Sequence, residues 1–299
     1  MDLDALFGCL SVPACAVTQV STGLIIGMLL FLVASGLSLI FGVLGVINFA
    51  HGAFYMLGAY FALAAYQLTG NFLAALGAGA LGMALFGAIF ERLFVSRIYG
   101  RDVLMQLLLC YAFVLILDDM VKIIWGAEYR MMGMPQSFAV PPLFIAGGPV
   151  PPYYLFMIGI SVVVGGLLWL GIARTRFGKL VRAAAHNPQM VGALGVNTSL
   201  LYASVFGVGS LLAGLAGALA APVRSLTPGM GLSILIESFI VTVIGGMGSI
   251  VGAFVASLLI GLTRSFGSLG FPLFVDGAMF VMMALVLILR PSGLFGRQV

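Results

Sequence analysis

Nine long apolar stretches constrain the fold of this chain more than any other feature of its sequence. They cover residues 20–47, 53–69, 72–90, 103–124, 153–173, 199–221, 232–247, 250–266 and 274–290. A transmembrane helix needs about 20 apolar residues to cross a hydrocarbon core of about 30 Å. Since 62% of all residues are apolar and only 7% are charged, no water-soluble fold could cover so much apolar surface. The sequence therefore predicts an all-α, polytopic transmembrane helical bundle of about eight or nine spans, in one domain over residues 1–299.

The first stretch is too long for a simple crossing, and two others are short. Residues 20–47 would measure about 42 Å as one straight helix, so we expect this segment to tilt or to break near Gly36 or Gly42. Residues 53–69 and 232–247 would measure only about 24–26 Å. Short, glycine-interrupted segments often form broken or re-entrant helices beside a transport path.

The basic residues cluster in three polar regions, which lie on one side of the membrane if successive stretches cross alternately. They hold nine of the 13 basic residues, namely Arg92, Arg97, Arg101, Arg174, Arg176, Lys179, Arg182, Arg290 and Arg297. The positive-inside rule makes this side cytoplasmic, which places the C-terminus inside and, with nine crossings, the N-terminus outside. A first stretch made of two pieces would reverse the N-terminus.

The proline-rich segment 125–152 lies on the opposite side in this topology, and its six prolines predict an external loop rather than a helix. Cys9 and Cys15 lie near the N-terminus. They could form a disulfide if that end faces an oxidising compartment, and the sequence leaves this open.

Asn48 and His51 are polar residues between the first two apolar stretches, with glycines on either side. Their side chains could hydrogen-bond the carbonyl groups that a helix break leaves free. They could instead contact a solute or gate the inner mouth of a path. The structural interpretation is preferred, because a lone histidine rarely indicates catalysis. Together with Tyr55 and Glu237, they are the candidate residues of a substrate pathway.

Few charged residues lie within the apolar stretches. A charge at the bilayer centre costs roughly 2.5–3.5 kcal/mol on insertion scales, and it usually has a function. Glu237 is the best such candidate, although it lies close to the outer end of its stretch. Asp118 and Asp119 have the helical spacing to Lys122 that suits an ion pair. No stretch carries the row of central acidic residues typical of a proton-driven carrier, which argues against a secondary transporter.

The segment 174–198 is polar and basic, and it contains a helix–Asn–Pro–helix pattern. Residues 177–186 favour one helix, while Asn187 can cap a second short helix with Pro188 at its first position. Such an amphipathic pair can lie on the membrane surface or dock into a groove of a soluble partner. We expect two apolar stripes on the pair, formed by Leu180, Val181 and Ala184 and by Met190, Val191 and Leu194.

Four motifs follow one another along the chain: Gly36–Tyr60, the helix–Asn–Pro–helix segment, Gly245–Ala253 and Arg290–Gly296. Together they resemble the LivH-type permease subunits of branched-chain amino acid ABC transporters, over residues 20–296. The resemblance implies a multi-pass permease of the bacterial inner membrane. In that family a cytoplasmic loop enters a cleft on the ATPase. Carried onto this sequence, the coupling residues are Arg182, Ala183, Ala184, Asn187, Pro188, Gly192 and Gly195.

The resemblance also implies four kinds of partner: a second, LivM-like permease subunit, two cytoplasmic ATPase subunits, an external substrate-binding protein and the transported small molecule. The sequence has no phosphate-binding G-x-x-x-x-G-K-[ST] loop, so partner subunits would hydrolyse the ATP. It has no nucleophile–base constellation and no metal-ligand spacing, so we expect neither an enzyme nor a bound cofactor. A net charge of +4, carried by short loops, does not indicate nucleic-acid binding.

The substrate stays open at this point. Permeases that resemble this chain carry branched-chain amino acids, and others carry urea, amides or other small organic acids. A secondary transporter that acts without an ATPase is the competing hypothesis.

Overall fold

The computed structural model describes residues 3–296, and most of these residues are helical. The α-helices in this part of the chain are α1 (Leu3–Ser11), α2 (Pro13–Leu44), α3 (His51–Thr69), α4 (Phe72–Leu93), α5 (Val103–Trp125), α6 (Pro152–Arg174), α7 (Arg176–His186), α8 (Pro188–Ala193), α9 (Thr198–Ala220), α10 (Met230–Gly245), α11 (Ile250–Gly270) and α12 (Val275–Leu289). Two short strands, β1 (Leu143–Ile145) and β2 (Gly148–Val150), form an antiparallel hairpin. The predicted all-α bundle is confirmed.

Six segments of the described chain are long and apolar enough to cross a membrane. They are Pro13–Leu44, Phe72–Arg97, Pro152–Arg174, Thr198–Ala220, Ile250–Gly270 and Pro272–Leu289. α10 is apolar but has only 16 residues, and α3 and α5 coincide with the remaining two predicted stretches. Each of the nine predicted stretches therefore corresponds to one helix, and the estimate of eight or nine spans is approximate.

α2 is one continuous helix of 32 residues, which measures about 48 Å at 1.5 Å per residue. No break occurs at Gly36 or Gly42. Both glycines lie within the helix, where the absence of a side chain lets neighbouring backbones approach it. A Cβ atom on Gly36 would lie 2.6 Å from the carbonyl oxygen of Gly209 in α9. The helix ends at Leu44, where Gly45 adopts a left-handed φ of 67°.

The N-terminal end of α2 carries a disulfide between Cys9 and Cys15, which links it to α1. Disulfides persist in oxidising compartments. The disulfide and the unbroken α2 are both compatible with an N-terminus on the external side. Arg297, which entered the charge argument for the C-terminus, lies outside the described residues.

The chain turns back into the bundle after α2. Residues 45–50 are non-helical, and α3 begins at His51, whose Nε2 atom lies 3.1 Å from the carbonyl oxygen of Val33. Val33 lies about 16 Å of helix before the end of α2, so α3 begins well inside the bundle. α10 also begins inside the bundle, since a Cβ atom on Gly231 would lie 2.6 Å from the carbonyl oxygen of Gly52. The N-terminal ends of α3 and α10 therefore meet within the bundle, as expected for the two short stretches.

The centre of the bundle is formed by α2 and α9, and its periphery by α6 and α12. In the most apolar part of α2 and of α9, 83% of the residues are buried. The corresponding share is 17% in α6 and 11% in the segment that contains α12. Phe54 of α3 packs edge-to-face on Phe206 of α9 and on Phe90 of α4. The peripheral helices are thus left to contact lipid or other subunits.

The predicted external loop 125–152 contains the β-hairpin and a single 3₁₀ turn, Gln136–Phe138. It is tied to the connection between α9 and α10 by two backbone hydrogen bonds of 2.9 and 2.8 Å between Arg130 and Leu226. The expected ion pair at the end of α5 forms between Lys122 and Asp119, at 2.8 Å. Asp118 instead accepts a hydrogen bond from the backbone N–H of Gly229.

Candidate functional site

His51 is fully buried at the start of α3. Its Nε2 atom is paired with the carbonyl oxygen of Val33, and its Nδ1 atom has no hydrogen-bond partner among the described residues. Gly36 makes room for the ring, because a Cβ atom there would lie 3.0 Å from Nε2. One nitrogen therefore fulfils the structural role, while the other remains free for a second contact.

Asn48 is also fully buried, and it lies beside the non-helical turn. Its Oδ1 atom accepts a hydrogen bond of 3.0 Å from the backbone N–H of Ala50, while Nδ2 has no partner within the described chain. The residue lines a cleft of about 350 Å³. The other lining residues are apolar: Leu37, Ile47, Phe49, Leu232, Leu235, Ile236, Phe239, Ile240, Phe280 and Met283.

Tyr55 and Glu237, the other two predicted pathway residues, lie together in the interior. Glu237 is 6% exposed and forms an ion pair with Arg264 of α11, while its Oε2 atom has no partner within residues 3–296. Tyr55 is 2% exposed, and Arg224 lies beside its hydroxyl group. The structure thus adds Arg224 and Arg264 to this group. Neither arginine stood out in the sequence, because residue spacing alone does not show which way a long side chain turns.

The helix–Asn–Pro–helix pattern forms as predicted. α7 begins after Thr175, whose Oγ1 atom accepts a hydrogen bond of 3.1 Å from the N–H of Gly178. α8 begins at Pro188, and Asn187 caps it, because its Oδ1 atom accepts a hydrogen bond of 3.0 Å from the N–H of Met190. These caps fix the bend between the two helices.

The apolar faces of α7 and α8 differ from the prediction. Val181, Ala184 and Val191 are buried in a small cluster with residues of α2 and α9, namely Leu39, Leu201 and Val205. Met190 and Leu194 are 59% and 76% exposed, so the expected stripe of Met190, Val191 and Leu194 is wrong. α8 has only six residues, and neighbouring positions on a helix point about 100° apart. Val191 therefore faces the bundle while Met190 faces away from it.

The other predicted coupling residues surround this exposed pair. Ala183, Gly192 and Gly195 are exposed, and Gly195 adopts a φ of 82° just after α8. The guanidinium group of Arg182 turns back to the carbonyl oxygen of Ile172. Arg182 therefore also ties α7 to the end of α6.

Comparison with known proteins decides the family. The family model described as the permease component of the branched-chain amino acid transport system matches residues 19–289. The chain belongs to this family. BraD, a high-affinity branched-chain amino acid transport system permease protein of Pseudomonas aeruginosa, is 30% identical over 292 residues, which cover 93% of this chain and 95% of BraD. The corresponding LivH protein of Escherichia coli is 28% identical over 301 residues, with the same coverage.

A solved structure has the same fold. PsaBC from Streptococcus pneumoniae in complex with Fab matches with a TM-score of 0.50 and 11% sequence identity, over 97% of this chain and 95% of that chain. At this identity the match shows the fold alone. The resemblance to LivH-type permeases is confirmed by the family match, and the chain is a multi-pass membrane permease.

Among the described residues, sequence reasoning missed a buried carboxylate. Glu91, near the C-terminal end of α4, is fully buried, and its Oε1 atom accepts a hydrogen bond of 2.5 Å from the hydroxyl of Tyr99. Tyr99 packs edge-to-face on Tyr202 of α9, at 5.5 Å between ring centroids. Burial and the neighbouring carboxylate raise the pKa of Tyr99, so its hydroxyl stays protonated and can donate. Glu91 stands next to Arg92 in the sequence, and the sequence alone does not distinguish it from a solvated charge.

No group of three or more potential metal-ligating side chains occurs among the residues that the structure describes.

Proposed function

We propose that this permease forms half of the translocation path of an ATP-driven importer for branched-chain amino acids. It would pair with a second, LivM-like permease subunit, receive its solute from an external binding protein and couple to two cytoplasmic ATPase subunits. The substrate class is taken from the relatives, whose names specify branched-chain amino acid transport. In this proposal the chain acts as a permease rather than as an enzyme, binds no cofactor, and relies on ATP hydrolysed by its partners.

The observation that carries the coupling proposal is the division of α7 and α8 into an inner and an outer side. Val181, Ala184 and Val191 anchor the pair to α2 and α9, the two central helices. Met190 and Leu194 form an apolar pair on the outer side. An exposed apolar patch among polar residues is typical of a docking surface. A push on this patch would therefore act directly on the centre of the bundle.

The charges around the apolar pair also suit a protein partner. Arg174, Arg176, Lys179 and Arg182 are exposed, and none of them is in an ion pair within the described chain. Cations of this kind can steer toward the segment a partner surface that carries acidic residues around an apolar groove. They can equally lie close to the anionic lipid headgroups of the cytoplasmic leaflet.

Asn187, Pro188 and Gly195 have a different role in this proposal, because they shape the segment. Asn187 caps α8, Pro188 occupies its first position, and Gly195 adopts the left-handed turn that ends it. Replacing them would misfold the segment and would reduce coupling for that reason alone. The exposed apolar pair gives a cleaner test.

A double variant, Met190→Glu with Leu194→Glu, is expected to lose its ATPase subunits. Both side chains are exposed in the isolated chain, so the permease should fold normally, whereas two charges in an apolar docking groove would be strongly disfavoured. We expect the ATPase subunits to stop co-purifying with the membrane complex, and uptake to fall by about tenfold or more, which corresponds to about 1.4 kcal/mol or more.

Met131→Glu is the matched control, because Met131 is 71% exposed but lies in the external loop. This variant should keep both the ATPase subunits and uptake. The docking assignment would be wrong if the double variant behaved like the Met131→Glu control.

For the solute, we propose that the path in this subunit passes the start of α3, where Asn48, His51 and Tyr55 lie, and continues toward Glu237. The proposal is supported by the meeting of α3 and α10 inside the bundle, since interrupted helices at mid-membrane commonly form transport sites.

A further inference from the structure

Glu91 is a buried carboxylate that neither the proposed path nor the proposed docking surface uses. Its neighbours along the chain, Arg92 and Leu93, are exposed, whereas Glu91 itself is fully buried. Its Oε1 atom accepts the 2.5 Å hydrogen bond from the hydroxyl of Tyr99, and its Oε2 atom has no partner within residues 3–296. Burying a carboxylate costs more free energy than one hydrogen bond contributes, so stability alone does not account for Glu91.

The hydrogen bond holds the loop between α4 and α5 against the first turns of α9. Tyr99 lies in that loop, and its ring packs edge-to-face on Tyr202 of α9, with 5.5 Å between the ring centroids. Tyr202 also packs against the apolar cluster through which Val181 and Val191 anchor α7 and α8 to the bundle. Glu91 of α4 is therefore linked to the same part of α9 as α7 and α8.

Aromatic contacts continue from this end of α4 to the start of α3. Phe90, which precedes Glu91, packs edge-to-face on Phe54 of α3, at 5.4 Å between the ring centroids. Phe54 also packs on the ring of His51, at 6.3 Å. Aromatic pairs of this geometry are in favourable contact at centroid distances of about 4.5–7 Å. The contacts thus reach from α7 and α8 to His51, which the proposed path passes.

Phe54 has two helices to follow if α9 moves. It packs on Phe206 of α9, at 6.1 Å between the ring centroids, as well as on Phe90 of α4. It can follow α9 fully only while α4 moves with α9. The hydrogen bond between Tyr99 and Glu91 ties the two helices together, because the ring of Tyr99 packs on α9.

We propose that Glu91 and Tyr99 are positioning residues of the transport cycle. When the ATPase subunits displace α7 and α8, the hydrogen bond makes α4 follow α9, and Phe54 then carries the displacement to the start of α3. Neither positioning residue contacts the solute. The inference rests on the proposed function, and it adds the residues through which docking at α8 acts on the path.

Tyr99→Phe tests the hydrogen bond alone, because it removes the hydroxyl and keeps the ring on Tyr202. The complete importer, with its partner subunits and binding protein, is reconstituted in proteoliposomes, and leucine uptake and ATP hydrolysis are measured together. We expect the ATPase subunits to remain bound and to hydrolyse ATP. The number of leucine molecules transported per ATP should fall by about threefold or more, which is within the range for residues between two coupled sites.

Tyr153→Phe is the matched control for this variant. The hydroxyl of Tyr153 is also buried, and it donates a hydrogen bond of 2.7 Å to the carbonyl oxygen of Leu219, at the other end of α9 from Tyr202. Both variants lose one buried hydrogen bond and should lose similar stability, but Tyr153→Phe should keep the wild-type ratio of leucine to ATP. An equal fall in both variants would overturn the proposal, as would a wild-type ratio in Tyr99→Phe.

A double variant shows whether the two residues act through one hydrogen bond. Glu91→Leu removes the acceptor and places an apolar side chain in the buried position. Adding Tyr99→Phe to Glu91→Leu should lower the ratio no further, since the bond is already absent. Reductions that multiply in the double variant would overturn the proposal.

Maleimide labelling of an Ile47→Cys variant follows the start of α3 without measuring transport. Ile47 is partly exposed in the turn before α3, and Cys110, the one free native cysteine of the described chain, is buried. We expect ATP to change the labelling rate, and Tyr99→Phe to reduce that change by about threefold or more. A labelling rate that ignores ATP, or a response that Tyr99→Phe leaves intact, would overturn the proposal. If labelling responded as expected while the importer took up no leucine, the link would stand and the substrate of the proposed function would be wrong.

Discussion

Glu237→Ala is expected to destabilise the folded chain by about 3 kcal/mol or more, because Arg264 is left without its counter-ion in a largely buried position. The side chains of Glu237 and Arg264 are 8% and 28% exposed, and they join α10 to α11. Removing one partner of a buried pair costs much more than the pair contributes, since the remaining charge has lost both water and its partner. Thermal unfolding of the purified chain in detergent measures the loss.

The double variant Glu237→Met with Arg264→Met should recover most of the lost stability. Apolar side chains of similar volume commonly replace a buried ion pair at little or no cost. Asp119→Ala is the matched control, because Asp119 and Lys122 are 68% and 47% exposed, and exposed pairs contribute about 0–1 kcal/mol. Equal stabilities for Glu237→Ala and Asp119→Ala would contradict a structural role of the buried pair.

Gly214→Val is expected to prevent the chain from folding, or to destabilise it by about 4 kcal/mol or more. Gly214 of α9 lies where α3 and α4 cross it. A Cβ atom there would lie 2.5 Å from the Cβ atom of Met83 in α4, and a Cβ atom added to Gly58 of α3 would overlap the backbone of Gly214. Small residues at such crossings let helix backbones meet, which is a main source of association between membrane helices.

The yield of monodisperse protein after purification measures this effect. Gly159→Val serves as the control, because Gly159 lies in peripheral α6 and a Cβ atom there would meet nothing within 4 Å. We expect a change of about 0.5 kcal/mol or less for this control, since valine is at least as good a helix former as glycine. If both variants gave the same yield, the tight crossing at Gly214 would not be needed for folding.

Sequence reasoning predicted the helices well, because apolar length is the feature that lipid selects most directly. Each apolar stretch coincides with one helix, and Asn187 and Pro188 begin α8 as expected. The depth at which a helix begins within the bundle was harder to predict. The start of α3 inside the bundle depends on residues 45–50 turning back along α2, and composition does not encode that direction. Gly36 and Gly42 illustrate the same limit, since a glycine in lipid can pack against a neighbouring helix instead of breaking its own.

The candidate site was predictable in its residue types and less so in its geometry. Asn48 and His51 stood out as polar residues between apolar stretches, and both are buried, Asn48 in the non-helical turn and His51 at the start of α3. The cleft beside Asn48 was not visible in the sequence, because its wall comes from α10 and α12, which are remote along the chain. The exposure of Met190 and Leu194 likewise follows from how α8 packs on α9, which a local stripe pattern cannot specify.

The central claim is that this permease moves branched-chain amino acids with energy from partner ATPases. The most direct measurement is leucine uptake into proteoliposomes that contain the complete importer, with ATP supplied on the ATPase side. We expect uptake to require ATP, the binding protein and catalytically active ATPase subunits. Leucine uptake by this permease in the absence of ATPase subunits would contradict the account and identify a secondary transporter. Uptake of urea or amides without leucine would retain the importer and contradict the substrate.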